Sequence, residues 1–201
     1  MEGTKTKYIL VALVVIVIVA ASIGFYLIKD GAINTQSVSA FDKIDSANQI
    51  AINWKNDSVL YAICMQEQNN NGEITAWRYE YFSPSSAIIV NINHTIYTCC
   101  KVYLFSNGTN KINSFNSSNI YPSDNLKIDS TDAYDIAMSN SEIEDFMHHD
   151  PGLFLFQLSN DSIRSVWQIE WTYDAGFDDP KWAEIHIDAN TGEVLYVEAD
   201  D

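Results

Sequence analysis

The sequence predicts an α+β protein made of two tandem repeats, each a helix packed on an antiparallel sheet, preceded by one transmembrane helix. Three observations lead to this fold class. Residues 8–28 carry no charge, the last third of the chain alternates large apolar with polar side chains, and the chain after the apolar segment repeats its own pattern. Alternation with a period of two is typical of half-buried strands.

The amino-terminal segment, residues 8–28, is predicted to cross a membrane once and to serve as an anchor. Its 21 residues would span roughly 30 Å as a helix, which matches the apolar thickness of a bilayer. Lys5 and Lys7 precede it, so residues 1–7 are expected in the cytoplasm and the rest of the chain outside the cell. A cleaved signal peptide is the alternative because residues 19–21 are small, but the apolar run continues to Ile28 and favours an uncleaved anchor.

The chain after the anchor is strongly acidic. From Lys29 onward it has 9 Lys and Arg against 26 Asp and Glu, which gives a formal charge of −17. Such a charge repels nucleic acid and anionic lipid headgroups, and it favours solubility or cationic partners. The acidic residues are dispersed along the chain, so most of them are interpreted as a solvated surface.

Internal similarity divides this part of the chain into a linker at 29–41, a first repeat at 42–105, a second linker at 106–126 and a second repeat at 127–201. Both repeats begin with Lys-Ile-Asp-Ser, at residues 43–46 and 127–130, followed by the apolar spacing of a helix. Farther on, Trp77 and Trp167 lie in matching sequences at an offset of 90. The two tryptophans are therefore expected at equivalent places, each packed between a sheet and its helix.

The last third of the chain is predicted to form a three-stranded antiparallel meander. Residues 166–173, 183–187 and 194–197 show the alternation of strands. Between the second and third strands, the sequence from Asp188 to Gly192 supplies turn chemistry, in which Gly192 is free to take a positive φ.

This carboxyl-terminal order, Trp-x-Ile-x-Trp, an acidic loop and then Ala-x-Ile-x-Ile-Asp-Ala-x-Thr-Gly-Glu-Val, resembles the PepSY domain, a module of metallopeptidase propeptides and of many secreted or membrane-anchored proteins. The first repeat departs from the family pattern at residues 94–97, where the glycine turn is missing. The resemblance implies a binding or inhibitory module whose partner is a protein, such as a peptidase of the cell envelope. It implies no catalytic residues.

An antiparallel sheet with a helix on one face leaves its other face and its edges available to a partner. The candidate partner-binding residues are the exposed positions of the second Trp strand and the acidic loop after it: Gln168, Glu170, Thr172, Asp174, Asp178 and Asp179. A sensory or structural surface domain that binds a small ligand or a cation is the alternative. Calcium in the acidic loop is one form of this alternative, although the spacing of the loop does not match an EF-hand.

No catalytic function is predicted. The chain has no nucleophile elbow, phosphate-binding glycine loop or dinucleotide fingerprint. The adjacent His148 and His149 are interpreted as a cationic pair at the end of a short helix rather than as metal ligands. No catalytic, cofactor-binding or metal-binding residue is assigned, and nucleic acid is excluded as a partner.

Two kinds of covalent modification are consistent with an extracellular location. Cys64 would pair with Cys99 or Cys100 in a disulfide, or all three cysteines would remain free in the core. The candidate glycosylation sites are the five N-x-Ser/Thr sequences that begin at Asn56, Asn93, Asn107, Asn116 and Asn160.

Overall fold

Nine antiparallel strands form one continuous sheet in the computed structural model, which describes residues 39–200 except residues 93, 119, 124, 161, 162, 177 and 178. The strands are β1 (Val59–Gln68), β2 (Ile74–Phe82), β3 (Ile88–Asn91), β4 (His94–Phe105), β5 (Asn110–Ser118), β6 (Gly152–Asn160), β7 (Ser165–Asp174), β8 (Pro180–Asp188) and β9 (Val194–Ala199). Their order across the sheet is β3-β4-β2-β1-β6-β7-β8-β9. One edge of β4 pairs with β2 and, nearer the start of β4, with β3, and the other edge of β4 pairs with β5.

The α-helices of the described residues all pack on the same face of this sheet. They are α1 (Ile44–Trp54), α2 (Ser130–Met138) and α3 (Ser141–Met147). On α1, Asn48 accepts a hydrogen bond of 2.8 Å from the Tyr81 hydroxyl. The Tyr134 ring of α2 lies 6.2 Å from Trp171, and α3 is held by Phe146, whose ring lies 5.1 Å from Tyr173. The opposite face carries no described helix and is called the open face below.

Aromatic side chains from both halves of the sheet form one core beneath the helices. The indoles of Trp77 and Trp167 are fully buried, and the Phe156 ring lies 5.7 Å and 5.3 Å from them. The Trp167 Nε1 donates a 2.7 Å hydrogen bond to the Ile128 carbonyl, and this bond satisfies the polar end of a buried ring. Burial of such large rings supplies much of the hydrophobic stabilisation of a sheet of this size.

The segments that begin the two halves are hydrogen-bonded to each other. Asp129 caps α2 in a capping box with Asp132. Asp129 also accepts hydrogen bonds from the Ser39 hydroxyl and, at 3.1 Å, from the backbone N–H of Phe41. The backbone N–H of Ala40 donates a 2.9 Å bond to the hydroxyl of residue 130. These contacts join parts of the chain that are about 90 residues apart.

The predicted architecture of two tandem repeats, each a helix on its own sheet, is wrong. The first strands of the two halves pair with each other, Ile63 with Leu158 and Cys64 with Gln157, so that all the strands belong to one sheet. The physical reason is that a sheet in each half would leave an edge of unpaired backbone groups next to a similar edge. Pairing β1 with β6 satisfies both edges and merges the two cores.

The meander predicted for the last third of the chain is confirmed. Strands β7, β8 and β9 pair antiparallel in sequence order. In the turn before β9, Gly192 has a φ of 77°, and the Asp188 carboxylate accepts 2.9 Å bonds from the backbone N–H groups of Asn190 and Thr191. A methyl group at Gly192 would lie 3.2 Å from Cδ1 of Ile136, so this turn also packs against α2.

The predicted transmembrane helix at residues 8–28 lies outside the described residues. Each helix in the described part of the chain is too short or too polar to span a bilayer.

Candidate binding site on the open face of the sheet

The open face of strands β6 to β8 carries a cluster of polar side chains linked by hydrogen bonds. The Gln168 amide donates 2.8 Å and 2.6 Å bonds to the carboxylates of Glu170 and Glu184, and its oxygen accepts a 2.7 Å bond from Gln157. The His186 Nε2 lies 2.5 Å from the Glu184 Oε1. These five side chains, Gln157, Gln168, Glu170, Glu184 and His186, are called the carboxylate cluster.

The strand register explains why the cluster forms. Glu170 lies directly opposite Glu184 across the β7–β8 pair, and Gln168 lies opposite His186. Residues that face each other across an antiparallel pair point to the same side of the sheet. Because Trp167, Ile169 and Trp171 fill the helix-covered face, the even-numbered residues between them point to the open face.

Two carboxylates facing each other repel, and this repulsion changes the acidity of the site. Burial and the negative charge of Glu184 raise the pKa of Glu170 above its usual range, although Gln168 and His186 act in the opposite direction. Only 17% of the Glu184 side chain is exposed, so its charge is poorly screened by water. The cluster is therefore a site where a bound positive charge would be stabilised.

A second group of charges occupies the open face of β1, β2 and β4, and in it two cations surround one carboxylate. The Glu80 Oε1 forms ion pairs with the Arg78 Nε at 2.7 Å and with the Lys101 Nζ at 3.4 Å. The Glu80 carboxylate also accepts a 2.6 Å hydrogen bond from the Tyr61 hydroxyl. The Glu80 carboxylate therefore has an arginine and a lysine beside it, whereas the partners described above for Glu170 and Glu184 are Gln168 and His186.

The other candidate partner-binding residues, at the end of β7 and in the acidic loop after it, are not members of the carboxylate cluster. Thr172 continues the open-face row of β7, and Asp174 ends that strand, where it accepts a 2.8 Å bond from the backbone N–H of Gly176. The Asp179 carboxylate lies 3.6 Å from the Lys181 ammonium, which offsets its charge. Asp178 lies outside the described residues. In the part of the chain that the structure describes, no group of three or more His, Cys, Asp or Glu side chains is placed to hold a metal ion.

The sequence reasoning found Gln168 and Glu170 but missed Gln157, Glu184 and His186. The signal for two of them was available, because Glu184 and His186 alternate with the apolar Ala183, Ile185 and Ile187 on a predicted strand. That alternation assigns them to the face of Gln168 and Glu170 if the strands pair. It does not supply the register that brings Glu184 opposite Glu170.

The three cysteines are free and buried, so the predicted disulfide does not form and the free-cysteine alternative describes this structure. Strand β2 lies between β1, which carries Cys64, and β4, which carries Cys99 and Cys100. Two strand spacings separate these positions by roughly 10 Å, more than the about 7 Å that a disulfide allows between Cα atoms. Burial raises the pKa of the Cys64 thiol and raises the pKa of Cys99 to about 11.

The five candidate glycosylation sites differ in accessibility. Asn56, Asn107 and Asn116 are exposed, and Asn93 lies outside the described residues. The Asn160 amide donates a 2.7 Å bond to the Ser123 hydroxyl and further bonds to the carbonyls of Tyr61 and Tyr121. These bonds hold the connection that leads from β5 to α2 against the sheet, so a glycan on the Asn160 nitrogen would compete with them.

Comparisons with known proteins identify no family. No protein-family model matches the chain, and no curated protein matches it. A crystal structure of a "putative lipoprotein" from Clostridium difficile 630 is similar over 84% of this chain and 97% of that chain, with 14% sequence identity and a TM-score of 0.47. A similarity of this degree supports no inference about function. The resemblance to PepSY domains therefore stays a prediction.

Proposed function

We propose that this protein is a membrane-tethered extracytoplasmic binding module without enzymatic activity, and that its carboxylate cluster receives a basic segment of a protein partner. The observation that supports this function is the Glu170–Glu184 pair, which lies on the open face of the sheet, where both carboxylates accept hydrogen bonds from the Gln168 amide and Glu184 also contacts His186. A Lys or Arg side chain from a partner would relieve the repulsion between the two carboxylates. The resemblance to PepSY domains suggests a peptidase of the cell envelope as the partner.

The proposed test is capture from a cell-envelope extract by the full chain. We expect the double variant Glu170→Gln/Glu184→Gln to bind its partner about tenfold more slowly than the unmodified chain at low ionic strength, and the difference to shrink as salt is added. The matched control is Glu144→Gln/Asp145→Asn on the exposed surface of α3, which removes the same charge from the helix-covered side. The control should bind normally.

Three outcomes would count against this proposal. Capture that is indifferent to salt, or equally weakened by both double variants, would show that the cluster is not the contact. If no protein is captured, the proposal of a protein partner is wrong. A thermal midpoint that rises with an added divalent cation, and that no longer rises in the cluster variant, would instead favour the alternative of a surface domain that binds a cation.

A further inference from the structure

The hairpin formed by β3 and β4 ends in an exposed apolar tip. Ile88 is 63% exposed, Ile89 77%, Val90 54% and Ile92 97%. All four residues of β3 are exposed, so neither face of this strand is covered by the rest of the fold. These side chains, Ile88, Ile89, Val90 and Ile92, are called the apolar tip.

The hairpin extends past the neighbouring strand β2. Cys99 pairs with Phe82, the last residue of β2, and His94 lies five residues earlier on β4. At about 3.4 Å per residue, the tip reaches roughly 17 Å beyond the end of β2. Asp57 fixes the base of the hairpin, because its carboxylate accepts 2.7 Å bonds from the Ser83 hydroxyl and the backbone N–H of Ser85.

The hairpin lies in the part of the chain that lacks acidic residues. Residues 81–123 contain no Asp or Glu, although the 27 acidic residues of the chain would place 27 × 43/201, or about six, in a stretch of this length. The same stretch contains Lys101 and Lys111, so its formal charge is positive in a strongly acidic protein. Strands β3, β4 and β5 therefore form the region of the sheet that an anionic surface would not repel.

We propose that the apolar tip inserts into the interface of the lipid bilayer to which the chain is tethered. A lipid surface fits better than a flat protein surface because exposed apolar side chains lie on both sides of the tip: Ile88 and Ile89 are consecutive residues of β3 and point to opposite sides, and Ile92 lies in the turn. Acyl chains surround such a projection, whereas a flat protein surface would cover only one side. Burial of exposed apolar side chains at the boundary between headgroups and acyl chains is typical of interfacial membrane contact.

The tether is long enough for this contact. The Ala40 carbonyl accepts a 2.6 Å bond from the Tyr79 hydroxyl, and Tyr79 pairs with Val102, eight residues from His94 on β4. The distance from there to the tip is roughly 27 Å along the strand. The ten residues 29–38 that follow the apolar segment can span at most about 35 Å. The inference rests on the membrane tether of the proposed function and adds a second point of contact.

The test uses the full chain reconstituted into vesicles of phosphatidylcholine and phosphatidylglycerol. An environment-sensitive thiol label at Ile92→Cys reports the tip, because the three native cysteines are buried and would react slowly. The control label is Asn70→Cys, an exposed residue in the turn between β1 and β2 at the opposite end of the sheet. Quenching by brominated lipids should be about threefold or more stronger at residue 92 than at residue 70, as expected for a tip that lies about 5 to 10 Å deep.

A substitution pair tests whether the apolar side chains carry the contact. Ile89→Asp should reduce the lipid quenching of the label at residue 92, while Phe154→Asp, which alters an exposed aromatic residue of β6, should leave it unchanged. Chain that floats with vesicles but shows equal quenching at both labels would overturn the hairpin inference and leave the tether intact. If the chain does not float with the vesicles, both the membrane tether and the insertion of the apolar tip are wrong. Energy transfer between labels at residue 92 without lipid quenching would show that a second copy covers the tip.

Discussion

The indole rings of Trp77 and Trp167 meet edge to face in the core, with their centroids 6.4 Å apart and their planes at 65°. The two residues lie on β2 and β7, which are separated in the sheet by β1 and β6. Their contact shows that the two halves of the chain share one core.

Replacing either tryptophan by alanine should destabilise the whole sheet. We expect Trp77→Ala and Trp167→Ala each to lower the free energy of unfolding by about 3 to 5 kcal/mol, because both rings are fully buried. Urea denaturation should show the double variant to differ from the sum of the single variants by about 0.5 to 1.5 kcal/mol, the coupling expected of an aromatic pair. Trp182→Ala, at a 39% exposed site, is the control. Strict additivity would contradict a shared core.

The turn at Gly192 should tolerate no side chain. Gly192→Ala would place a non-glycine residue at a φ of 77° and a methyl group 3.2 Å from Ile136. Gly108→Ala is the matched control, because Gly108 has a φ of 83° with open space around it. Both variants should have a lower free energy of unfolding, because alanine adopts the left-handed conformation at a cost. Gly192→Ala should lose about 1 kcal/mol more than Gly108→Ala, since its methyl group also crowds α2. Equal thermal midpoints for the two variants would show that the turn does not pack on α2.

The carboxylate of Asp57 should contribute stability above acidic pH. Hydrogen bonds from Ser85 and Ser83 lower the pKa of Asp57 from 3.8 to about 2. A lowered pKa means that the folded state prefers the ionised form, so this contribution is present above pH 3.8 and is lost as the pH falls towards 2. Asp57→Asn should lower the free energy of unfolding at neutral pH by about 1 kcal/mol. Asp135→Asn, on the exposed side of α2, should cost less. An Asp57 variant with unchanged stability across this pH range would show that the bonds from Ser83 and Ser85 to Asp57 do not stabilise the fold.

Glu170 should produce the opposite pH dependence. Its pKa is raised by burial and by Glu184, so the folded state holds the proton more tightly than the unfolded state does. Stability is therefore lost as the pH rises from the ordinary value of 4.5 through the raised pKa. Chemical denaturation at a series of pH values should show Glu170→Gln to be more stable than the unmodified protein at neutral pH. The two proteins should converge at acidic pH, and a variant that is less stable at neutral pH would refute the repulsion.

The sequence alone determined the local features of this protein. Alternation identified β7, β8 and β9 because a strand with one buried face must place apolar side chains at every second residue. The Asp188 hydrogen bonds and the positive φ of Gly192 are local to the turn from Asp188 to Gly192, so this turn could also be predicted from the sequence. The matching sequences 90 residues apart predicted equivalent positions for Trp77 and Trp167, but they did not predict that the two rings are in contact.

Only the tertiary structure decided which strands pair across the two halves and in which register. The pairing of Ile63 with Leu158 joins two sheet edges through backbone hydrogen bonds, and every residue other than proline carries the same backbone groups. Side-chain alternation therefore specifies the face of a strand but not its neighbour. For the same reason the position of Glu184 opposite Glu170 could not be predicted, since a different register would separate the carboxylates that form the candidate site.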